Sequence, residues 1–552
     1  FGEPTYWNYK HEELDEITKR ITTGNFTSKE ERDFLIKKAT LLGISESVRM
    51  FLAQTVDVNI VNKILKGVIN DFGAGITSRW TLVNGRLKEE IGGAIRVGTK
   101  QMPQSSWNPI AGLTDFYSRI VWDAIYDRAT LTNPHTGDII PVRTTWKVET
   151  AGPKGKLNVP NDAIVWDPYD EKWKKVGDGV LATSKVTFEL KYSKWHHNEP
   201  MKKADVLYGI YFFFEWGTKE KPDDPTFDPE YTSQAEPAVK TMKGIKFLDE
   251  NKVEVYVDYW HFDENYIADY AALWAAMPWE IGVAMEKVVL DKKFAFSRSA
   301  SKAQQVDWLS LIIKTHAETI KETLKKFKGD NFVPKSLKEF VTVSEALGRY
   351  TSAIAWIDNN KHAVISNGPF FLVGYNPEAR TITIKSFRDS SYPFKPGQWR
   401  EFEILKLAEI KKVDLPTVEI GKPLLIKVLV EVGKIPSNEA TVNYKITDPE
   451  GKTLVKGEAK PVQPIGNFEI NLSEDFTSKL KVGSYKIKLL AVSPKATKPY
   501  IFETSFALVP TAPVALPTPP TAPPLATPVV WIGIAILISA VLFVVFLLKR
   551  KS

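Results

Sequence analysis

KVTFELKYSKWHHNEPMKKADVLYGIYFFFEW, residues 185–216, is the stretch whose reading decides the fold. Its first eight residues, Lys185 to Tyr192, alternate: Val186, Phe188 and Leu190 are apolar, while Lys185, Thr187 and Glu189 are polar. That period of two marks a half-buried strand. Asn198 and Pro200 then supply turn chemistry, because Asn accepts unusual backbone angles and Pro presets one. From Lys203 to Trp216 the chain is apolar and aromatic almost all round, the pattern of a buried helix. A strand that runs through a tight turn into a buried helix predicts an α/β fold for the block around it.

Working outward, residues 91–410 form that block. Ile95-Arg96-Val97-Gly98 reads as a short strand, and Asp115 to Tyr126 carries Phe116, Ile120, Val121, Ala124 and Ile125 at helical spacing. Lys252 to Asp258 alternates, and Thr381 to Lys385 reads as a strand after the turn at Asn376-Pro377. The order is mixed rather than a regular βαβ array. Residues 1–90 read as mostly helical, with Ser28 and Glu31 in capping-box spacing and an apolar face from Asp33 to Leu42. Residues 411–510 change character again. Leu424 to Val430, Thr441 to Ile446 and Ser484 to Leu489 alternate between turn signals such as Asp448-Pro449-Glu450-Gly451. About 100 residues of short strands at this spacing predict an immunoglobulin-like β-sandwich.

The 552 residues exceed one ordinary domain, and 43% hydrophobic content excludes a wholly disordered chain. The net charge is +7, from 73 basic against 66 acidic residues, and Lys549, Arg550 and Lys551 supply three of the positive charges. No basic run interleaved with aromatics occurs, so nucleic acid is not an expected partner. With no cysteine, disulfides, thiolate catalysis and Cys-based metal sites are excluded.

The end of the sequence bears on location. Val529 to Leu548 is a run of 20 residues with no charge and no Pro, long enough to cross ~30 Å of hydrocarbon. The basic tail 549–552 follows it, and the positive-inside rule puts that tail in the cytoplasm. Single-pass anchorage in the cell membrane, with membrane lipid as a partner and the bulk of the chain extracellular, is the expectation. Before the span, residues 511–528 are rich in Pro and Thr and predict an extended stalk. Asn25-Phe26-Thr27 and Asn471-Leu472-Ser473 are sequons, which makes Asn25 and Asn471 glycosylation candidates. The start at Phe1 without a signal peptide suggests a processed chain or a fragment.

Several segments, in order, resemble the extracellular solute-binding proteins of the peptide-binding type (family 5) that feed ABC importers. Asn108-Pro109-Ile110, Tyr126-Asp127, Pro141 and Trp146 resemble the family's opening. Val186 to Leu190, Trp195-His196, Glu199-Pro200 and Ala204-Asp205-Val206 resemble its strand, turn and helix signature, with His197-Asn198 where Asp-Gly is usual. Asn198 tolerates left-handed backbone, which preserves the turn. Asn367-Gly368-Pro369-Phe370, Ile382-Thr383-Ile384, Arg388-Asp389 and Tyr392 resemble a later strand pair and the motif after it. Tyr6-Trp7, Leu14-Asp15-Glu16 and Glu30-Glu31-Arg32 resemble the family's tail, yet here they come first. A fragment of a tandem protein, or a permutation, explains that order; the fragment reading implies a cleft that is incomplete in this chain.

The resemblance implies periplasmic-binding-protein-like lobes of type II that close on a ligand and present it to permease subunits, without cofactor or catalysis. A peptide or an oligosaccharide is the implied ligand. Trp107, Asn108, Trp195, Asn198, Trp260, Trp274, Asn367 and Arg388 are the candidate contacts, with Trp279 and Trp356 as further stacking rings. Asp258, Asp263 and Asp269 are candidates for an ammonium end, and Arg380 and Arg388 for a carboxylate end. Two rival readings remain: a surface-layer scaffold, and an extracellular glycoside hydrolase drawing on the Asp258 to Asp269 carboxylates. Adjacent His196 and His197 predict solvated or capping roles rather than a metal site.

Overall fold

The computed structural model describes residues 9–50, 52–53, 58–87 and 91–510. Tyr6-Trp7, the stalk 511–528, the apolar run 529–548 and the tail 549–552 lie outside them. Among the described residues no helix is long and apolar enough to cross a membrane. The chain divides into two compact units. One is built on residues up to Glu409, with the returns Glu431–Ala440 and Ala491–Tyr500; the other is built on Ile410–Val430, Thr441–Leu490 and residues from Ile501 on. The first is a mixed α/β body.

A six-stranded sheet organises that body. In spatial order its strands are Thr144–Thr150, Ser184–Leu190, Lys252–Val257, Met242–Phe247, Ile164–Asp167 and Lys172–Lys175, every neighbour antiparallel. The period of two does what the sequence asks: Val186, Phe188 and Leu190 face inward with Val253 and Val255 opposite. Helix Lys203–Trp216 covers this face with Val206, Ile210 and Phe214. Its other side, Leu207, Tyr208 and Trp216, enters a second core with Ile281, Met285, Phe296, Ile320, Leu324 and Tyr350. Burial on both sides explains why the helix is apolar all round.

The helical hairpin Glu12–Thr22 and Lys29–Ser45 packs Ile17, Phe26 and Leu35 together, with Trp260 and Phe262 of the body against them. Ser28 caps the second helix by accepting the Glu31 N–H at 3.1 Å, while the Glu31 carboxylate takes the Thr27 N–H and hydroxyl. One expected element is corrected. Residues 95–98 form no strand, and Ile95 and Val97 are exposed. Alternation makes a strand only beside a sheet edge, and Gly92 and Gly93, both at positive φ, turn the segment away from extended pairing.

The second unit is built on the strands of two sheets, Ala408–Asp414, Leu424–Val432, Asn467–Leu472 and Lys460–Val462 in one, and Val418–Glu419, Tyr500–Val509, Gly483–Val492, Thr441–Thr447 and Thr453–Glu458 in the other. Its inward residues, among them Ile426, Val428, Val430, Val442, Ile446, Phe468, Ile487 and Leu489, are the apolar members of the alternating runs.

Candidate functional site

The motif segments that are far apart in sequence meet at one buried polar centre. Helix Phe116–Ile125 ends at Tyr126, and the next residue, Asp127, turns its carboxylate inward. Arg143, just before strand Thr144–Thr150, donates from Nε to Asp127 Oδ2 at 2.9 Å. The rest of its guanidinium serves the Lys191 carbonyl at 3.1 Å, the Ser193 hydroxyl at 3.0 Å and the Asn367 carbonyl. Asn367 in turn accepts the Asp127 N–H at 2.9 Å. Asp127, Arg143 and Asn367 are fully buried. Arg79, on the short helix Arg79–Asn84, pairs with the other oxygen of Asp127 and caps the Asp123 and Tyr126 carbonyls at 2.7 Å.

Gly368 must be glycine here. Its N–H donates to Ile125 O at 2.7 Å, and a Cβ would lie 2.4 Å from that same oxygen. The diagnostic turn closes the centre from the other side. His196 N donates to Ser366 O at 3.0 Å, and its Nε2 lies 3.1 Å from Gly368 O. Lys194 N donates to Ser391 Oγ at 3.0 Å, and Lys194 Nζ pairs with Asp389 at 3.3 Å. Asn198 has φ +71°, the left-handed backbone expected of it. Around the centre stand aromatic rings. Arg143 lies 5.8 Å from the Trp274 ring and 5.2 Å from that of Tyr392, and Tyr192 stacks on Trp274 at 6.1 Å. Burial, with Asp127 alongside, pushes the Tyr392 hydroxyl well up. Trp274 Nε1 and Tyr192 Oη are buried without a protein partner.

A second network lies under the same turn. Arg349 donates to Glu280 at 2.8 Å, to Pro200 O at 3.1 Å and to Asp205; His197 Nε2 lies 2.8 Å from the second Glu280 oxygen. Asp205 also accepts the Lys202 and Trp279 N–H groups at 2.9 and 3.1 Å. Burial works against charge on both carboxylates. It leaves Asp205 raised, whereas Arg349 and His197 bring Glu280 below its ordinary value. Of the solvated or capping roles expected of His196 and His197, the solvated one is corrected: both are buried, His196 with its ring on main-chain groups of Ser366 and Gly368 and His197 with Nε2 on Glu280. Burial holds His196 down at about 3, so it is a neutral ring. Among the described residues no group of three or more His, Asp or Glu is arranged to hold a metal.

The other expected contacts sit as follows. Trp107 is buried, with Nε1 on Ser118 at 3.2 Å; Asn108 donates to Leu309 O at 2.8 Å and Phe296 O at 3.1 Å, and its Oδ1 caps Ala111 N at 3.0 Å. Trp195 is buried in the same core as Trp107. Trp260 is half-buried against Phe26 at 6.1 Å, and Asn198 and Arg388 are exposed. Trp279 is buried beneath Arg349, and Trp356 lies edge-on to Phe371 at 6.0 Å. Asp258 is held between Lys156 and Lys243; burial opposes its charge, but the two lysines keep the carboxyl low. Asp263 caps the helix Glu264–Ala271, Asp269 accepts from Thr130, and Arg380 occupies an exposed turn at φ +52°. The structure thus gathers Asn367, Trp274 and the Trp195 turn around Arg143. Two notable hollows lie away from them: about 410 Å³ beside Lys287, Glu318 and Lys326, and about 380 Å³ beside Lys445, Lys486 and Glu503. Asn25 and Asn471 are both exposed.

Sequence reasoning missed Arg79, Arg143, Glu280 and Arg349, which carry the networks. The available signal was an acid inside an apolar helix, as in Trp279-Glu280-Ile281 and Met285-Glu286. Glu286 shows the same device: three donors, Tyr208 Oη at 2.9 Å, Tyr211 Oη at 2.7 Å and Trp216 Nε1 at 2.9 Å, surround a fully buried carboxylate whose burial raises its pKa.

No family model and no curated protein matches the chain. Among solved structures, the PBP AgaA of A. tumefaciens R10 in complex with agropinic acid is similar at 15% identity and TM-score 0.20, over 50% of this chain and 32% of that one. The beta-glucuronidase of Parabacteroides merdae is similar at 13% identity and TM-score 0.15, over 18% of this chain and 14% of that one. S. aureus TarS is similar at 11% identity and TM-score 0.14, over 55% of this chain and 51% of that one. This chain thus spans between a seventh and about half of those proteins, and at such scores none of the likenesses carries an argument.

Proposed function

We propose that the chain is the membrane-anchored extracellular solute-binding component of an ABC importer, which captures oligopeptides or oligosaccharides and delivers them to permease subunits. One observation carries this reading. The ordered segments that resemble the peptide-binding family, Tyr126-Asp127, Trp195-His196, Asn367-Gly368-Pro369 and Asp389, are in mutual contact around Arg143. The half-buried rings of Trp274 and Trp260, together with exposed Asn198 and Arg388, are the proposed ligand contacts. Trp107, Asn108, Trp195 and Asn367 are reached only if the body opens. Aromatic faces suit sugar rings and peptide side chains alike, so the ligand class is left to experiment.

A scaffold role is the second reading, favoured by the same burial. Residues expected to face a ligand already spend their polar atoms on main-chain groups. Ligand-induced thermal stabilisation of the full-length protein separates the two. A true ligand at 100 times its Kd adds ~2.7 kcal/mol. A broad panel of peptides and oligosaccharides that moves the melting curve nowhere favours the scaffold, and release of hydrolysis products from any of them overturns the transport assignment.

A further inference from the structure

Helix Lys29–Ser45 has two apolar sides. Leu35, Ala39 and Leu42, at i, i+4 and i+7, face the hairpin core. Phe34, Leu41 and Ile44, at i, i+7 and i+10, lie on another side and are exposed, Leu41 to 69%. A surface helix with one core to cover needs one apolar stripe; a second stripe is the mark of a second partner. Further large apolar side chains beyond the helix are exposed as well. Met50, Leu52, Val58, Ile60 and Ile64 are all exposed, Leu52 to 89% and Ile60 to 97%. Phe34, Leu41 and Ile44 alone present on the order of 350 Å² of apolar surface, a patch of the size that often marks an interaction site.

We infer that this face is the contact between two copies of the chain, related by a two-fold axis with the helices Lys29–Ser45 antiparallel. An apolar stripe is its own complement, so an isologous contact buries it without a new sequence. Charge fits the same arrangement. The stripe is flanked by exposed Glu30 at the helix start and by exposed Arg49 just past its end. Antiparallel helices crossing near Ala39 set Phe34 of each copy beside Ile44 of the other, and Glu30 beside Arg49. The contact is independent of whether the body binds a solute.

The absence of cysteine makes the test clean, since a single introduced thiol cannot be cross-linked within one chain. Full-length Leu41→Cys, treated in its native membranes with a short bis-maleimide, is expected to give a covalent dimer in about tenfold higher yield than Ile501→Cys, whose side chain is exposed on the other unit. Adding Phe34→Glu to Leu41→Cys should lower that yield about tenfold, while the melting temperature stays put because Phe34 is outside the hairpin core. Equal yields from positions 41 and 501 overturn the proposal. So does a product whose mass is not twice that of the chain, which assigns the face to a different partner. A yield indifferent to Phe34→Glu overturns it as well.

Discussion

The two units are held together by different means. In the second unit Ile426, Val428, Val430, Val442, Ile446, Ile487 and Leu489 are buried apolar side chains that ask only for volume. In the α/β body, Asp127, Arg143, Asp205, Glu280 and Arg349 are equally buried, and each is acceptable there only through its partners. Apolar burial falls off gradually as atoms are trimmed, whereas a buried charge that loses its partner becomes a large penalty at once. The second unit should therefore tolerate substitution that keeps size, while the α/β body should tolerate almost none at its polar centres.

The largest expected effect follows from removing one carboxylate. Asp127→Ala leaves the Arg79 and Arg143 guanidiniums buried and facing one another, and should cost about 3–5 kcal/mol in the unfolding transition of the body. Denaturant titration, followed by Trp fluorescence, reports that transition because all sixteen tryptophans except Trp531 precede residue 410. A loss below about 1 kcal/mol would break the contrast, since it would mean that water enters the centre easily. Arg349→Lys sharpens it. The charge is kept, but one ammonium cannot serve Asp205, Glu280 and the Pro200 carbonyl in the fork geometry seen here, and a loss of about 2–3 kcal/mol is expected. In the second unit, Ile487→Val removes one methylene from a buried apolar site and should cost only about 1 kcal/mol, read from backbone circular dichroism.

Acidity separates the units again. All seven histidines lie in the body. Burial holds His196 at about 3 and His362 at about 4, below the ordinary imidazole value of 6.5, so their contribution is present above pH 6.5 and is lost as the pH falls toward those values. Glu215 runs the other way. Burial raises it to about 7 from 4.5, although the Trp166 N–H at 2.6 Å opposes the shift, so its contribution is present below pH 4.5 and is lost as the pH rises through 7. The body should thus have a stability maximum between these limbs. Glu215→Gln should remove a decline on the order of 2 kcal/mol on the alkaline side. The transition of the second unit should stay nearly level over the same range. A decline in Glu215→Gln as steep as in the parent chain would sink the assignment of that limb.

The same division governs what the sequence discloses. Period-two alternation marks Leu424 to Val430 and Ser484 to Leu489 because one face is dry and the other wet, and the strands stand where those runs are. The buried helix Lys203–Trp216 is legible for a related reason, being apolar on every side. The motif residues Asp127, Trp195 and Asn367 are legible as members of a pattern, but their partners are not. Arg143 and Arg349 look like any surface cation, because burial of a charge depends on neighbours from 16 to 240 positions away, as in Asp127–Arg143 and Asp127–Asn367. Ile95 to Gly98 fails in the opposite sense: local alternation is present and no neighbouring strand completes it.

The smallest effect is expected at the turn that joins these two kinds of information. Asn198 is exposed, its φ is +71°, and its N–H donates to Trp195 O at 2.9 Å. Its side chain is therefore not what the fold uses; its backbone is. Asn198→Gly should change stability by no more than a few tenths of a kcal/mol, since Gly reaches that region without strain. Asn198→Ala should cost about 1 kcal/mol, because its Cβ meets the preceding turn without the local polar compensation that Asn provides. The ranking by differential scanning calorimetry, Gly near Asn and both above Ala, tests the turn alone. If Ala equals Asn, the left-handed geometry is not what selects this residue. A ligand contact, for which position 198 is a candidate, then becomes the better explanation, and Asn198→Gly should weaken solute binding while leaving the melting temperature unchanged.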